Sequence, residues 1–395
     1  MKIKLGVVAS HPIQYQVPWF RKLAERMDLT VFFAHQPDAR AQGAGFGKAF
    51  VWDVDLLSGY RHEFLANMAK TPGTSYFFGC DTPAVAERIT EEKFDAVILT
   101  GWNLKCYWQA SKVCRTLGIP VVVRGDSQLG TPRSKVKQLV KEVVYRILLR
   151  QFDGFLCVGA RNREYLKHYG VGDARIFSAP HFVDNDWFAA RAAQGNPARV
   201  RTGWGCREND AVVMFAGKFI QEKRALDLLH AVASMPESGR PLVVMVGAGR
   251  LESNLRDAAS GAGIQVVFTG FKNQSELPEL YAAADAIVLP SFSETWGLVV
   301  NEAMACGVPV VVSDACGCAP DLVEVGVTGF TYPCGDVAAL AECLKEIVRR
   351  VRTGYDWNPS LQKKLKCYSV ETCTEGTIEA VHKLIATRVE VPRKP

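Results

Sequence analysis

The stretch that decides the fold is Pro290–Val312, PSFSETWGLVVNEAMACGVPVVV. It reads as a strand end, a loop, a helix, a second loop and a second strand. The apolar run Ala286-Ile287-Val288-Leu289 before it has strand composition and stops at Pro290. Ser291 to Trp296 is small, polar and acidic, a loop in which Ser293 or Thr295 is placed to cap the helix that follows. Leu298, Val299, Ala303 and Met304 are expected to bury one helical face. Gly307-Val308-Pro309 ends the helix, and Val310-Val311-Val312 opens the next strand. This is one repeat of a parallel α/β sheet. Its loop stands at the carboxyl end of the first strand, where open α/β sheets bind ligands.

Two carboxylates frame the repeat. Glu294 lies in the loop, and Glu302 follows eight positions later in the helix, on the expected wheel away from the Leu/Met face. The first-turn amides lie between them in chain order and, with the helix dipole, attract an anion such as phosphate. Acid, phosphate cradle and acid suit a ligand with hydroxyls at both ends and a diphosphate between, which is the form of a nucleoside diphosphate sugar. For a lone pair of glutamates at this spacing, the plainer reading is a buried β-α-β unit with two solvated side chains.

A chain of 395 residues sets two domains as the starting expectation. Hydrophobic content of 48% and charged content of 22% are ordinary for a soluble globular protein. The net charge of +6 is mild, permits an acidic ligand or an anionic membrane surface, and requires neither; no nucleic-acid partner is expected. The opening MKIKLGVVASHP reads as a first strand, because its apolar part is too short for a signal peptide. No run approaches the roughly 18 apolar residues of a membrane helix. Twelve cysteines without a paired framework read as reduced thiols in a cytoplasmic protein. Cys316-Gly317-Cys318 lacks partners at zinc spacing and reads as a loop detail.

The pattern runs on through EAMACGVPVVVSD, Glu302–Asp314, and the whole string resembles the donor-site signature of the retaining nucleotide-sugar glycosyltransferases of the GT-B fold, the large family four or group 1. The resemblance is strong from Ala211 to Val348 and weaker before. It implies two doubly wound Rossmann-like α/β domains facing a cleft: 1–195 on the acceptor side, 196–369 binding the nucleotide sugar, and a terminal helix in 370–395 crossing back to the first. It also implies sugar transfer to an acceptor hydroxyl with retention of configuration. No metal and no cofactor are expected beyond the donor itself, since lysines and a helix dipole supply the positive charge. The acceptor is a glycan, a lipid-linked or a small molecule. A cytoplasmic enzyme of polysaccharide or glycoconjugate synthesis is the expectation. A nucleotide-sugar epimerase of the same fold is the alternative, and a non-catalytic binding module the third reading. Neither the base, the sugar nor the acceptor is legible.

By the same resemblance, Lys218 and Lys223 clamp the diphosphate, Glu294 holds sugar hydroxyls and Glu302 the ribose diol. Thr295, Trp296, Gly297 and Leu298 form the phosphate cradle. Phe271 and Lys272 lie where the backbone meets the base, and Asp321 stands where a glutamate is common. Gly247-Ala248-Gly249 reads equally as a phosphate turn or a tight strand-to-helix turn.

In the first half, strands are expected at Lys4–Ala9, Leu29–Ala34, Asp95–Thr100, Pro120–Arg124, Phe155–Gly159 and Arg175–Ser178. Where relatives carry a glycine-rich loop this chain has HPIQYQVP; His11 and Gln14 are candidate donors to sugar or phosphate, or fix the turn. Arg124 and Asp126, at a strand end, read evenly as ligand contacts or as an Asx turn with an outward arginine. His35–Tyr60 reads as extended or mobile, and Arg61–Gly79 is left unassigned. Asp184-Asn185-Asp186 has the D-x-D form used by metal-dependent transferases of another fold, but PHFVD resembles the element that closes the first domain, so a structural turn is expected. Helix 134–152 is basic and amphipathic. It is read as packing on the sheet with a solvated basic face, or as a membrane-surface helix, which would make the protein peripheral to the inner face of a membrane.

Overall fold

A computed structural model describes residues 2–130, 135–207 and 210–390. Two compact units divide the chain. The first holds the residues up to Ala41, Asp55–His181 and the chain from Val370 on; the second holds Gln42–Val54 and Phe182–Ser369.

The first unit is built on seven parallel strands: β1 Lys4–Ala9, β2 Asp28–Phe33, β3 Arg61–Phe64, β4 Ala96–Leu99, β5 Val121–Gly125, β6 Gly154–Cys157 and β7 Ile176–Ser178. Their order is β3-β2-β1-β4-β5-β6-β7. The central strands are apolar on both faces because helices cover both, so they read as continuous hydrophobic runs. Val7 stands opposite Val31 on one side and Ile98 on the other, all three buried. Burying such a side chain stabilises by about 1.5–3 kcal/mol. The strand β3 at the sheet edge lies in the unassigned stretch; its RHEF is half-buried at best and carries no apolar signal. The helix Val370–Glu390 lies in this unit, packed on β6, β7 and the helix Val17–Arg26.

The second unit has six parallel strands: β8 Val212–Ala216, β9 Leu242–Val246, β10 Val266–Gly270, β11 Ala286–Leu289, β12 Val310–Ser313 and β13 Gly329–Tyr332. Their order is β10-β9-β8-β11-β12-β13. Both units are thus doubly wound, with the strand order reversing at β1/β4 in the first and at β8/β11 in the second.

Several expectations change. The chain passes between units at His181/Phe182 and not at 195: the helix Asn185–Gln194 packs on helices Leu277–Ala282 and Leu298–Ala305, and this burial ties it to the second unit. Asn196 accepts from the Arg199 amide and caps the helix Pro197–Gly203. Gln42–Val54 packs on the second unit through Phe46 and Phe50, whose rings lie 4.9 and 4.5 Å from that of Phe271. Among the described residues, no helix is long and apolar enough to cross a membrane.

Candidate active site

The helix Leu298–Ala305 begins without a side-chain cap. Its N-cap is Gly297 at φ +105°, so neither Ser293 nor Thr295 does the expected work. A Cβ at 297 would stand 2.7 Å from Leu289 Cδ2 and 3.4 Å from Cys318 Sγ. Glycine is required there by both backbone and space. The buried face is Val300, Ala303, Met304 and Ala305, with Leu298 and Val299 only half-buried. The Glu294 loop is held from behind: the Gly317 amide donates to the Glu294 carbonyl at 3.0 Å and the Cys318 amide to the Trp296 carbonyl at 3.0 Å. Cys316 and Cys318 are buried thiols of that backing loop.

The loops after β8 and β11 stand at the reversal of strand order, where the sheet opens a crevice. Lys218 and Lys223 follow β8; Glu294 follows β11. The structure brings Lys223 and Glu294 into a direct ion pair, each side chain mostly shielded from water. Lys218 donates to the Ala44 carbonyl at 2.7 Å, and its ammonium lies 5.2 Å from the Phe46 ring centre. Burial, and then the charge of Lys223, holds the Lys218 ammonium below its usual pKa. Two cations and a carboxylate thus share one strand-end crevice. That is an arrangement able to bind a diphosphate and an adjoining hydroxyl group.

Glu302 does not point away to solvent as the wheel implied. It is packed against the helix Leu277–Ala282, where the Tyr281 hydroxyl donates to Glu302 Oε2 at 2.7 Å. Burial pushes its carboxyl up to about 7, and the tyrosine hydrogen bond draws it partly back. Sequence reasoning missed Tyr281; the YAAAD string looks like ordinary core, and nothing local marks its hydroxyl. Trp296 is buried, its Nε1 donating to Asn301 Oδ1 at 2.8 Å, so it braces the cradle from inside, while Thr295 is exposed. Phe271 meets Phe46 edge-to-face and Phe50 at a tilt, and Lys272 pairs with Glu276 at 2.9 Å. Asp321 accepts from the Tyr368 hydroxyl at 2.9 Å. Gly247 and Gly249 let the β9 turn touch the backbone of Gly217 and Phe219. The Phe219 amide donates to the Ala248 carbonyl at 2.9 Å, which explains both glycines as a tight turn.

His11, Gln14 and Asp126 are on the first unit, at the ends of β1 and β5. His11 Nδ1 is hydrogen-bonded to Ser10 Oγ at 2.9 Å, and burial, then the charge of His35, lowers its pKa to about 4. Gln14 is half-buried near the start of the helix Val17–Arg26. Asp126 is half-buried and close enough to Tyr15 to help hold that phenol up, after burial, to about 12. Arg124 is not outward: it is buried, donating to the carbonyls of Ala179 at 2.5 Å and Pro180 at 3.3 Å. Asp184 caps the helix Asn185–Gln194 by accepting from the Trp187 amide at 3.0 Å, and Asp186 is exposed in its first turn.

Residues 199–354 match the family model of the glycosyl transferases group 1. The D-inositol 3-phosphate glycosyltransferase of Mycobacteroides abscessus is 32% identical over 232 residues, 58% of this chain and 50% of that protein. The sulfoquinovosyl transferase SQD2 of Arabidopsis thaliana is 30% identical over 305 residues, 71% of this chain and 58% of that protein. The matches thus span about half the length of these relatives. Among solved structures, Anabaena HepE in complex with UDP superposes with a TM-score of 0.73 at 18% identity, covering 97% of this chain and 100% of that one. Sucrose-phosphate synthase of Thermosynechococcus elongatus gives 0.71 at 18% identity, covering 98% and 100%. At that identity the structures show the fold, which is GT-B. Residues 199–354 are thus similar to the glycosyl transferases of group 1, and the chain as a whole has the GT-B fold.

Proposed function

We propose that this protein transfers a sugar from a nucleoside diphosphate sugar to an acceptor hydroxyl with retention of anomeric configuration. The observation that carries the reading is the Lys223–Glu294 pair beside Lys218 at the β8/β11 reversal. Lys218 and Lys223 neutralise the departing diphosphate together with the amides of Thr295, Trp296, Gly297 and Leu298. Glu294 exchanges its lysine for sugar hydroxyls when the donor enters. Glu302 accepts from the ribose diol. The bond from the anomeric carbon to the diphosphate breaks, and the bond to the acceptor oxygen forms on the same face. The acceptor proton passes to the departing diphosphate. His11, Gln14 and Asp126 contact acceptor or transferred sugar, and Phe271 and Lys272 meet the base. No metal or cofactor enters this scheme. UDP is the first nucleotide to test, because HepE was crystallised with it. The setting proposed is glycan or glycoconjugate synthesis in the cytoplasm. The relatives named are transferases, and the epimerase alternative gains nothing from them.

The test is incubation with UDP-sugars with and without an acceptor extract, with the product's anomeric proton read by NMR. Transfer needs the acceptor and keeps the donor's configuration. UDP-sugar isomerisation without acceptor, or an inverted product, overturns the proposal. Turnover should persist in EDTA, because lysines and amides carry the positive charge; loss with EDTA and rescue by manganese would contradict this.

A further inference from the structure

The helix Lys135–Leu148 of the first unit turns one lysine inward and four aliphatic residues outward. Lys141 is 7% exposed, with its ammonium 4.3 Å from the ring centre of Tyr165, 4.7 Å from Tyr145 and 5.2 Å from Tyr169. Beside it, Glu142 pairs with His168 Nε2 at 2.9 Å. The helix is thus fastened by cation–π and polar contacts. On the other side Leu139 is 70% exposed, Val143 63% and Ile147 59%, and Val144 adds a fourth aliphatic at 40%. Positions 139, 143 and 147 form one stripe along the helix. Arg146 and Arg150 are exposed at its edge, three and seven positions after Val143. The reading of this helix as packing its apolar face on the sheet therefore does not hold for Val144 and Ile147, which are exposed. Ser134, and the side chains of Lys135, Lys137 and Val140, lie outside the described residues.

We propose that this outward face docks on an anionic lipid surface. Leu139, Val143 and Ile147 enter the boundary between headgroups and acyl chains, and Arg146 and Arg150 meet lipid phosphates. Charge selects lipid over a second copy of the chain. Lys141 is turned inward, so the outward face carries Arg146 and Arg150 beside its aliphatic stripe, and two copies would set these arginines against one another. An anionic bilayer supplies the opposite charge and an apolar layer at the same depth. The proposal goes beyond sugar transfer and does not depend on it, because lipid binding is measured without donor.

The full chain is sedimented with vesicles of phosphatidylcholine alone and of phosphatidylcholine with one-third phosphatidylglycerol, at low and high salt. It should pellet with the anionic vesicles at low salt and remain in solution with the neutral ones. A Val143→Ser/Ile147→Ser variant should partition about tenfold less. An Arg146→Gln/Arg150→Gln variant should fall by about twenty-five-fold, roughly fivefold per charge. Both pairs are exposed, so circular dichroism and UDP binding should match the wild type. The proposal fails if the wild type does not bind anionic vesicles, if it binds neutral ones equally, or if the serine variant partitions unchanged. It also fails if the wild type is a dimer without lipid and the serine variant a monomer, which would give the face to a second copy.

Discussion

Glu302 carries the sharpest prediction at the level of single side chains. Its carboxyl is raised from 4.5 to about 7 by burial, so ionising it works against the folded state: that stability is full below the ordinary glutamate value, falls as pH rises from there and is lost above about 7. A ribose diol donates to the charged form, so nucleotide affinity should run the other way. UDP binding by calorimetry should tighten from about pH 6 to about pH 8, beyond what phosphate ionisation causes. Glu302→Gln should remove that extra dependence and weaken UDP and UDP-sugar alike; an unchanged profile would take Glu302 out of the nucleoside contact. Glu294→Gln should leave UDP binding nearly intact and chiefly lower turnover, because the sugar is the part that changes in the transition state. Lys223→Ala removes one charge-assisted contact to phosphate, on the order of 1.5–3 kcal/mol, and should weaken UDP about tenfold to hundredfold. Unchanged UDP binding in that variant would remove Lys223 from the clamp.

Among the elements, the helix Leu298–Ala305 depends on its glycine start. Gly297→Ala forces a side chain into the left-handed region, costing about 1–3 kcal/mol, and makes the Leu289 methyl shift. The variant should melt several degrees lower and bind UDP more weakly; wild-type values for both would mean the cradle tolerates a cap of another shape. This element was legible in its limits and type, since strand runs, Pro290 and Gly307 are local signals. Its buried face kept Ala303 and Met304 but has Val300 buried in place of Leu298 and Val299, and the partner surface decides that. The helix Lys135–Leu148 shows the same division. Its period was readable, but the three tyrosines that hold Lys141 inward come from within and beyond the helix, and they leave aliphatic side chains beside Arg146 and Arg150 on the face it presents.

For the assembled chain, the two units have separate cores, and the terminal helix belongs to the first. Gly376 lets that helix touch the Ser178 carbonyl of β7. Gly376→Val should push helix and strand apart and destabilise the first unit by about 1–3 kcal/mol. UDP binding, which the proposed function assigns to the second unit, should be retained at temperatures below the new transition. Calorimetric scanning with and without UDP reads both at once; loss of UDP binding in the folded variant would show that the nucleotide site needs the first unit.

The amino-acid order by itself determined the alternating strand and helix units, the parallel sheets and the place of Glu294 at a strand end. Each of these rests on neighbours within a few residues: apolar runs, helical periodicity, glycine and proline breaks. It did not determine what Lys223, Glu302 and Lys218 touch. Glu294 is 71 residues from Lys223, Tyr281 is 21 from Glu302, and Ala44 is 174 from Lys218. Packing also moved the unit boundary to His181 and carried Gln42–Val54 onto the second unit. Such contacts are chosen by which strands lie side by side, and only the folded sheets, with the order reversing at β8/β11, bring those side chains together.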